Sequence, residues 1–153
     1  MSRAITISKT PVVEATPDYA DGDVIGGKMT LGAAARAGGD GGAIRSAAVY
    51  SKVDIAANIP IRVILFNADP SASTFTENSA PTIHADDLSK IIGVLDLSLR
   101  LDLGTPVVLF ADNPSVPFSL PVSSDLYAVA IAGGVINLGG ASDLTFVFGL
   151  DQH

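Results

Sequence analysis

Short apolar runs, each stopped within about ten residues by glycine, proline, aspartate or asparagine, recur from one end of the chain to the other. That punctuation constrains the fold more than any single motif. A helix needs an unbroken period of 3.6 residues over three turns, and no stretch here supplies one. Ile5 and Ile7 alternate with Thr6 and Ser8, the period-two pattern of a half-buried strand. Pro11 breaks it, and Val12-Val13-Glu14 reads as a short extension. Further strands are predicted over 24–31, 43–55, 61–66, 90–99, 107–110, 126–132 and 144–150, with one more over 118–122 between prolines. Val49, Val53 and Ile55 are expected on one face of the 43–55 strand. The runs 61–66 and 107–110 are apolar on both faces, as strands covered on both sides would be. Helical composition is confined to one turn at 33–37 and another at 86–89.

Eight or nine short strands without a long helix predict an all-β fold, a sandwich or jelly roll. A length of 153 residues suits one domain, 1–153, with an N-terminal strand or arm over 1–10 and a body over 11–151. A core of that size needs no disulfide or metal to hold it. The absence of cysteine excludes disulfides, thiolate metal sites and thiol chemistry.

The turns carry their own chemistry. Asp21-Gly22-Asp23 combines aspartates that bond their own backbone with a glycine free to take positive φ. Gly26 and Gly27 inside a strand predict a bulge or a close backbone approach. Val63-Ile64-Leu65-Phe66-Asn67-Ala68-Asp69-Pro70-Ser71 echoes Val107-Val108-Leu109-Phe110-Ala111-Asp112-Asn113-Pro114-Ser115. Each is an apolar strand stopped by an Asx-Pro-Ser turn, by convergence or as two related β units. A weaker echo is Ser124-Asp125-Leu126 against Ser142-Asp143-Leu144, each opening a strand.

Charge narrows the function. Charged residues make up 16% of the chain, against about 25% in ordinary globular proteins, and mean hydropathy is positive. Either a bland surface suffices or part of the apolar surface is covered by other subunits. A net charge of −7 argues against nucleic-acid binding, which needs a basic face. All nine Lys and Arg lie within the first 100 residues, whereas Asp102, Asp112, Asp125, Asp143 and Asp151 follow Arg100 with no base among them. These acids form a solvated surface or an end that docks on a partner. The N-terminus lacks the apolar core of a signal peptide, and 126–136 is too short and too glycine-broken to span a bilayer, so the protein is expected to be made and retained in the cytoplasm unless an assembly carries it out.

Catalytic machinery is not recognisable. His84 is the only histidine besides the final residue, and no Gly-x-Ser-x-Gly elbow accompanies it, so it reads as a turn residue. The segment 38–42 lacks the Gly-Lys-Ser/Thr ending of a phosphate loop and reads as a mobile hairpin loop. Asp18, Asp21 and Asp23 are weak calcium candidates whose spacing does not match an EF-hand. An acid pair for glycoside hydrolysis could meet only in space, and the chain is poor in the aromatics that line sugar sites. No cofactor is expected.

Four segments in order resemble a family of small tailed-bacteriophage virion proteins. They are Tyr19-Ala20-Asp21-Gly22-Asp23-Val24-Ile25-Gly26-Gly27, Leu65-Phe66-Asn67-Ala68-Asp69-Pro70, Asp87-Leu88-Ser89-Lys90-Ile91-Ile92-Gly93-Val94 and Ser142-Asp143-Leu144-Thr145-Phe146-Val147-Phe148-Gly149-Leu150. The resemblance runs over about residues 12–151 and rests on order, since each segment alone is turn chemistry around an apolar strand. It implies a non-enzymatic virion part: a capsid decoration (cement) protein bound to the major capsid protein, or a tail component with a receptor- or carbohydrate-binding role. It implies no catalytic residue. A homo-oligomer is expected, a trimer where shell lattices offer threefold positions. A small hydrolase built on His84 or an acid pair is the remaining alternative.

Overall fold

The computed structural model describes residues 2–153. Among them are nine strands, all paired antiparallel, and a single 3-10 turn over Ala85–Lys90. The strands are β1 (Arg3–Lys9), β2 (Val24–Leu31), β3 (Gly41–Ser51), β4 (Ile61–Phe66), β5 (Ile91–Asp102), β6 (Val107–Ala111), β7 (Val116–Ser119), β8 (Leu126–Ala132) and β9 (Leu144–Gln152). They form one sheet in the order β1-β9-β3-β6-β5-β4-β8-β2, with β7 beside β3. The sheet curls until its two edge strands, β1 and β2, approach each other. The result is the all-β, jelly-roll-like form that the strand pattern predicts, made as a half-barrel closed around its own inner face.

Two long strands make the curl. β3 carries β9 along one side, and on the other it carries β7 on its first half and β6 on its second. β5 pairs with β4 through 91–97 and with β6 through 97–102. Each long strand contains a register shift, at Ile44/Ser46 in β3 and at Leu97/Leu99 in β5. An extra residue bends the strand and increases its twist, so the sheet turns a corner there instead of running flat.

The inner face explains why the chain folds this way. β9 alternates buried and half-buried residues without a break, placing Leu144, Phe146, Phe148 and Leu150 in the core. Ile61, Val63 and Leu65 of β4 and Leu126, Ala128 and Ala130 of β8 meet them from across the curl. Gly149 lies where a Cβ would run into the Ser46 side chain at the β3 bulge. In β2, Gly26 and Gly27 take φ of +79° and +71° at a bulge, and a Cβ on Gly26 would collide with the Pro11 ring.

Several segments differ from expectation: the strand expected over 90–99 runs on to Asp102, and 33–37 forms turns and bends, not a helical turn. The strand predicted over 43–55 begins at Gly41 and ends at Ser51, because Lys52 N turns to Asp143 O and the Ser51 hydroxyl closes on Val53 O at 2.6 Å. Gly41 and Gly42 belong to β3 and not to a mobile loop. They pair with Ser119 and Phe118 of β7, and a Cβ on Gly42 would strike Asp151 O. The strand expected over 118–122 is β7, shifted toward the N-terminus.

Candidate interaction surface

The sheet has an outer face as well as a core, and its two halves differ. Over β2, β8 and β4, the outward side chains Val24, Phe66 and Val129 are buried beneath the long 67–90 connection. Phe75 of that connection packs edge-on against Phe66, with ring centroids 5.9 Å apart. The connection is pinned in several ways. Thr74 and Thr82 bridge, Asn78 N bonds Val24 O, and Val24 N bonds Ser79 O. Asp87 is wholly buried, accepting from the Ser73 hydroxyl at 2.6 Å and from Lys90 Nζ at 2.7 Å. Those bonds, Lys90 first, hold its carboxyl below the usual carboxylate range.

Over β6 and the C-terminal parts of β3 and β5 the outward side chains are also apolar, and several of them stay exposed. Two cross-strand rows follow from the register. One runs Thr145, Tyr50, Val108, Leu101; the other runs Val147, Ala48, Phe110, Leu99. Leu103 projects beside them from the β5–β6 hairpin. Tyr50, Leu99, Leu101 and Leu103 are 46–56% exposed and Phe110 is 37% exposed. A depression of about 430 Å³ opens at one end of this face, lined among others by Tyr50, Lys52, Leu103, Pro106, Val108 and Asp143.

The β5 bulge creates this face. Leu95, Leu97, Leu99 and Leu101 alternate perfectly in sequence, and an unbroken strand would send all four inward. Leu95 and Leu97 do enter the core. The bulge then reverses the phase, so Leu99 and Leu101 pair opposite Phe110 and Val108 on the outside. The reading of 107–110 as covered on both faces is thereby corrected. Val107 and Leu109 are buried in the core, whereas Phe110 faces outward and is left partly exposed. In the run 61–66 the outward Ile64 and Phe66 pack under the 67–90 connection, which supplies the second cover, while Arg62 at the start of the strand stays exposed.

The other residues singled out from sequence serve local structure. Asp23 Oδ2 accepts Ala20 N at 2.9 Å, and Gly22 takes φ of +92°, while Asp18 and Asp21 are exposed. No group of three or more His, Cys, Asp or Glu side chains among the described residues is placed to hold a metal ion. His84 caps the 3-10 turn, its Nδ1 accepting Asp86 N at 3.1 Å. Asp69 and Pro70 accept from Ser71 N and Ser73 N, and Asn113 takes φ of +46° before Pro114. The two echoed units, β4 with its turn and β6 with its turn, lie on either side of β5. Asp125 Oδ1 accepts Ala33 N and so ties the start of β8 to the turn after β2, whereas Asp143 Oδ2 accepts Gly139 N and Gly140 N in the turn at which β9 opens.

No protein-family model and no curated protein matches the chain. Solved structures of three viruses resemble it faintly. For infectious bursal disease virus Gt strain the TM-score is 0.45 at 12% identity over 99% of this chain and 32% of that one. For Mud Crab Dicistrovirus it is 0.30 at 7% identity over 99% of this chain and 67% of that one. For the native virion of Kashmir bee virus at acidic pH it is 0.25 at 12% identity over 97% of this chain and 67% of that one. The chain thus spans about a third of the first of these, and all three TM-scores lie too low to define kinship.

Tyr50, Leu99, Leu101 and Leu103 were not singled out from the sequence, and Phe110 was expected in a strand covered on both faces. A signal was present: the leucine alternation from Leu95 to Leu103 is longer than one buried strand face needs, and 107–110 is apolar throughout. What the sequence lacked was a second covering segment like 67–90. No helix among the described residues is long and apolar enough to cross a membrane.

Proposed function

We propose that this chain is a non-enzymatic structural subunit of a virion, a capsid decoration protein that binds an assembled shell and stabilises it. The observation that carries this is the uncovered apolar half of the sheet. One half of the outer face is buried by the chain's own connection, and the other half presents a row of exposed apolar side chains without a deep cleft. Such a surface suits docking on a large, flat partner at many copies. The order of the four virion-like segments and the low charge density support the same reading. The copies form a closed homo-oligomer, with a trimer at threefold positions of the shell.

The test is to strip the protein from particles and heat both forms. The decorated shell should melt higher and retain its nucleic acid longer. Equal melting and equal retention would reject the decoration role. One observation favours a second reading, a sugar- or receptor-binding tail component: Tyr50 and Asp143 line the same depression, an aromatic face beside a carboxylate. Glycan-array binding that is lost in Tyr50→Ala would move the assignment there.

A further inference from the structure

We infer that the tip of the 67–90 connection is a proton-operated latch: it lies closed over the Val24, Phe66 and Val129 patch while Glu77 carries a proton, and it lifts when Glu77 gives the proton up. The connection is fastened unevenly. Cations hold its two ends. Lys28 of β2 reaches Asp69, and Lys90 reaches both the buried Asp87 and Asp69 O. Residues 74–82 contain no Lys or Arg. There Glu77 and Asn78 make the turn, with Asn78 at φ of +56°. This tip is tied to β2 by Asn78 N to Val24 O, by Val24 N to Ser79 O, and by Gly26 N to Glu77 Oε2 at 2.7 Å.

Two acids meet at the tip. Glu77 comes from the connection, and Glu14 comes from the segment between β1 and β2. The Glu14 amide donates to the Tyr19 hydroxyl at 2.9 Å. The Glu14 carboxylate accepts Asn78 Nδ2 at 3.3 Å, and the same nitrogen donates to Pro17 O at 2.7 Å. Glu14 is exposed, so water screens its charge. Glu77 has no such relief, because its Oε1 is buried without a hydrogen-bond partner. An orphaned buried oxygen costs little on a neutral carboxyl and far more on a charged one.

The surrounding charges do not compensate. Glu14 is of like sign, and Asp18 on the same segment is exposed. Lys28 is turned to Asp69 and to the Tyr127 ring. Tyr19 offers a hydroxyl that burial keeps neutral. Burial first, with Glu14 adding to it, raises the Glu77 carboxyl. A raised group binds its proton more tightly in the closed form, so opening becomes easier as pH rises through the folded value. Lifting gives Glu77 water and parts it from Glu14. It gives up the bonds to Val24 and the edge contact of Phe75 with Phe66. The lowered Asp87 carboxyl keeps the Lys90 clasp at the base through the same window. The chain therefore carries one apolar row that is already exposed and a second patch whose exposure pH sets. The latch does not rest on the docking role proposed above.

Hydrogen exchange of the full chain, read by mass spectrometry at pH 4 and pH 7.5 and corrected for intrinsic rates, tests the latch. Peptides over 74–82 should lose protection at the higher pH by about tenfold for each unit by which the closed form holds the proton more tightly. Peptides over β9 should not change. Glu77→Gln cannot ionise and should keep the tip protected at both pH values. Glu14→Gln, at an exposed position, should shrink the pH dependence, and Asp86→Asn should leave it as in the wild type. Equal protection of 74–82 at both pH values in the wild type overturns the proposal. So does a loss that Glu77→Gln retains, a loss shared equally by β9, or a dependence of wild-type size in Glu14→Gln. Failure of Glu77→Gln to fold also overturns it, because removing the charge is expected to tighten the tip.

Discussion

Glu77 and Asp87 sit on the same connection and titrate in opposite senses. Glu77 Oε2 accepts the Gly26 amide at 2.7 Å, and its Oε1 is buried with no hydrogen-bond partner. Burial pushes this carboxyl up, against the Tyr19 hydroxyl and the Gly26 amide, which favour its charged form. A raised carboxyl binds its proton more tightly in the folded chain. Its stabilisation is present below the unfolded value, about 4.3, and is lost as pH rises through the folded one. Glu77→Gln keeps an acceptor for Gly26 and removes the charge. The variant should melt above the wild type at pH 7.5 and converge with it near pH 4, by calorimetry; a lower melting temperature at pH 7.5 contradicts this account. Asp87 behaves inversely. Its carboxyl is lowered by Lys90 and Ser73, so its contribution is present above the unfolded value of about 3.9 and is lost as pH falls through the folded one. Asp87→Asn should lower the melting temperature at pH 7 by more than Asp86→Asn does, and the gap should close as the pH approaches the lowered value. Equal effects at the two positions would show that the buried pair does not anchor the 67–90 connection.

At the level of elements, β5 separates what a sequence encodes locally from what pairing decides. The bounds predicted for 24–31 and 61–66 coincide with β2 and β4, because Gly, Pro and Asx stops act within a few residues of the strand they end. The phase of the leucines in β5 is not local. It depends on a bulge against β6, and nothing in the alternation itself marks Leu97 as the last inward residue. Two substitutions of identical chemistry expose the difference. Leu97→Ala opens a cavity in the core and should cost ~2–5 kcal/mol. Leu99→Ala removes a side chain already 48% exposed and should cost under ~1 kcal/mol in the free chain. Urea unfolding at low protein concentration reads both, and equal costs would mean that the bulge lies elsewhere. The candidate surface stayed hidden for the same reason as the phase: the lack of a covering segment over β3, β6 and β5 is a property of the whole chain's path, not of the residues in the patch.

On the scale of the whole molecule, the acids after Arg100 no longer act as one charged end. Asp151 pairs with Arg45 at 3.1 Å, and Asp102 accepts Gly104 N at 3.0 Å and stands 3.5 Å from Arg100. Asp125 accepts an amide of the turn after β2, and Asp143 accepts two amides of the turn before β9. Asp112 is exposed in the turn after β6. Four of these five carboxylates therefore serve the fold locally and lie on separate loops and strands, so the segregation visible along the sequence does not become a segregated field in space. A chain that met its shell through this acid would need them together. Under the proposed docking through Tyr50, Leu99, Leu101, Leu103 and Phe110, attachment should depend little on ionic strength, because screening acts on exposed charges separated by more than ~8 Å at physiological salt and leaves apolar burial almost untouched. Raising salt from 0.05 M to 0.5 M during sedimentation of decorated particles should change the bound fraction less than about twofold. Leu101→Asp, which puts a charge in the middle of the face, should release the protein at either salt concentration. A steep loss of binding with salt, together with normal binding by Leu101→Asp, would transfer the docking role from the apolar face to the charged surface.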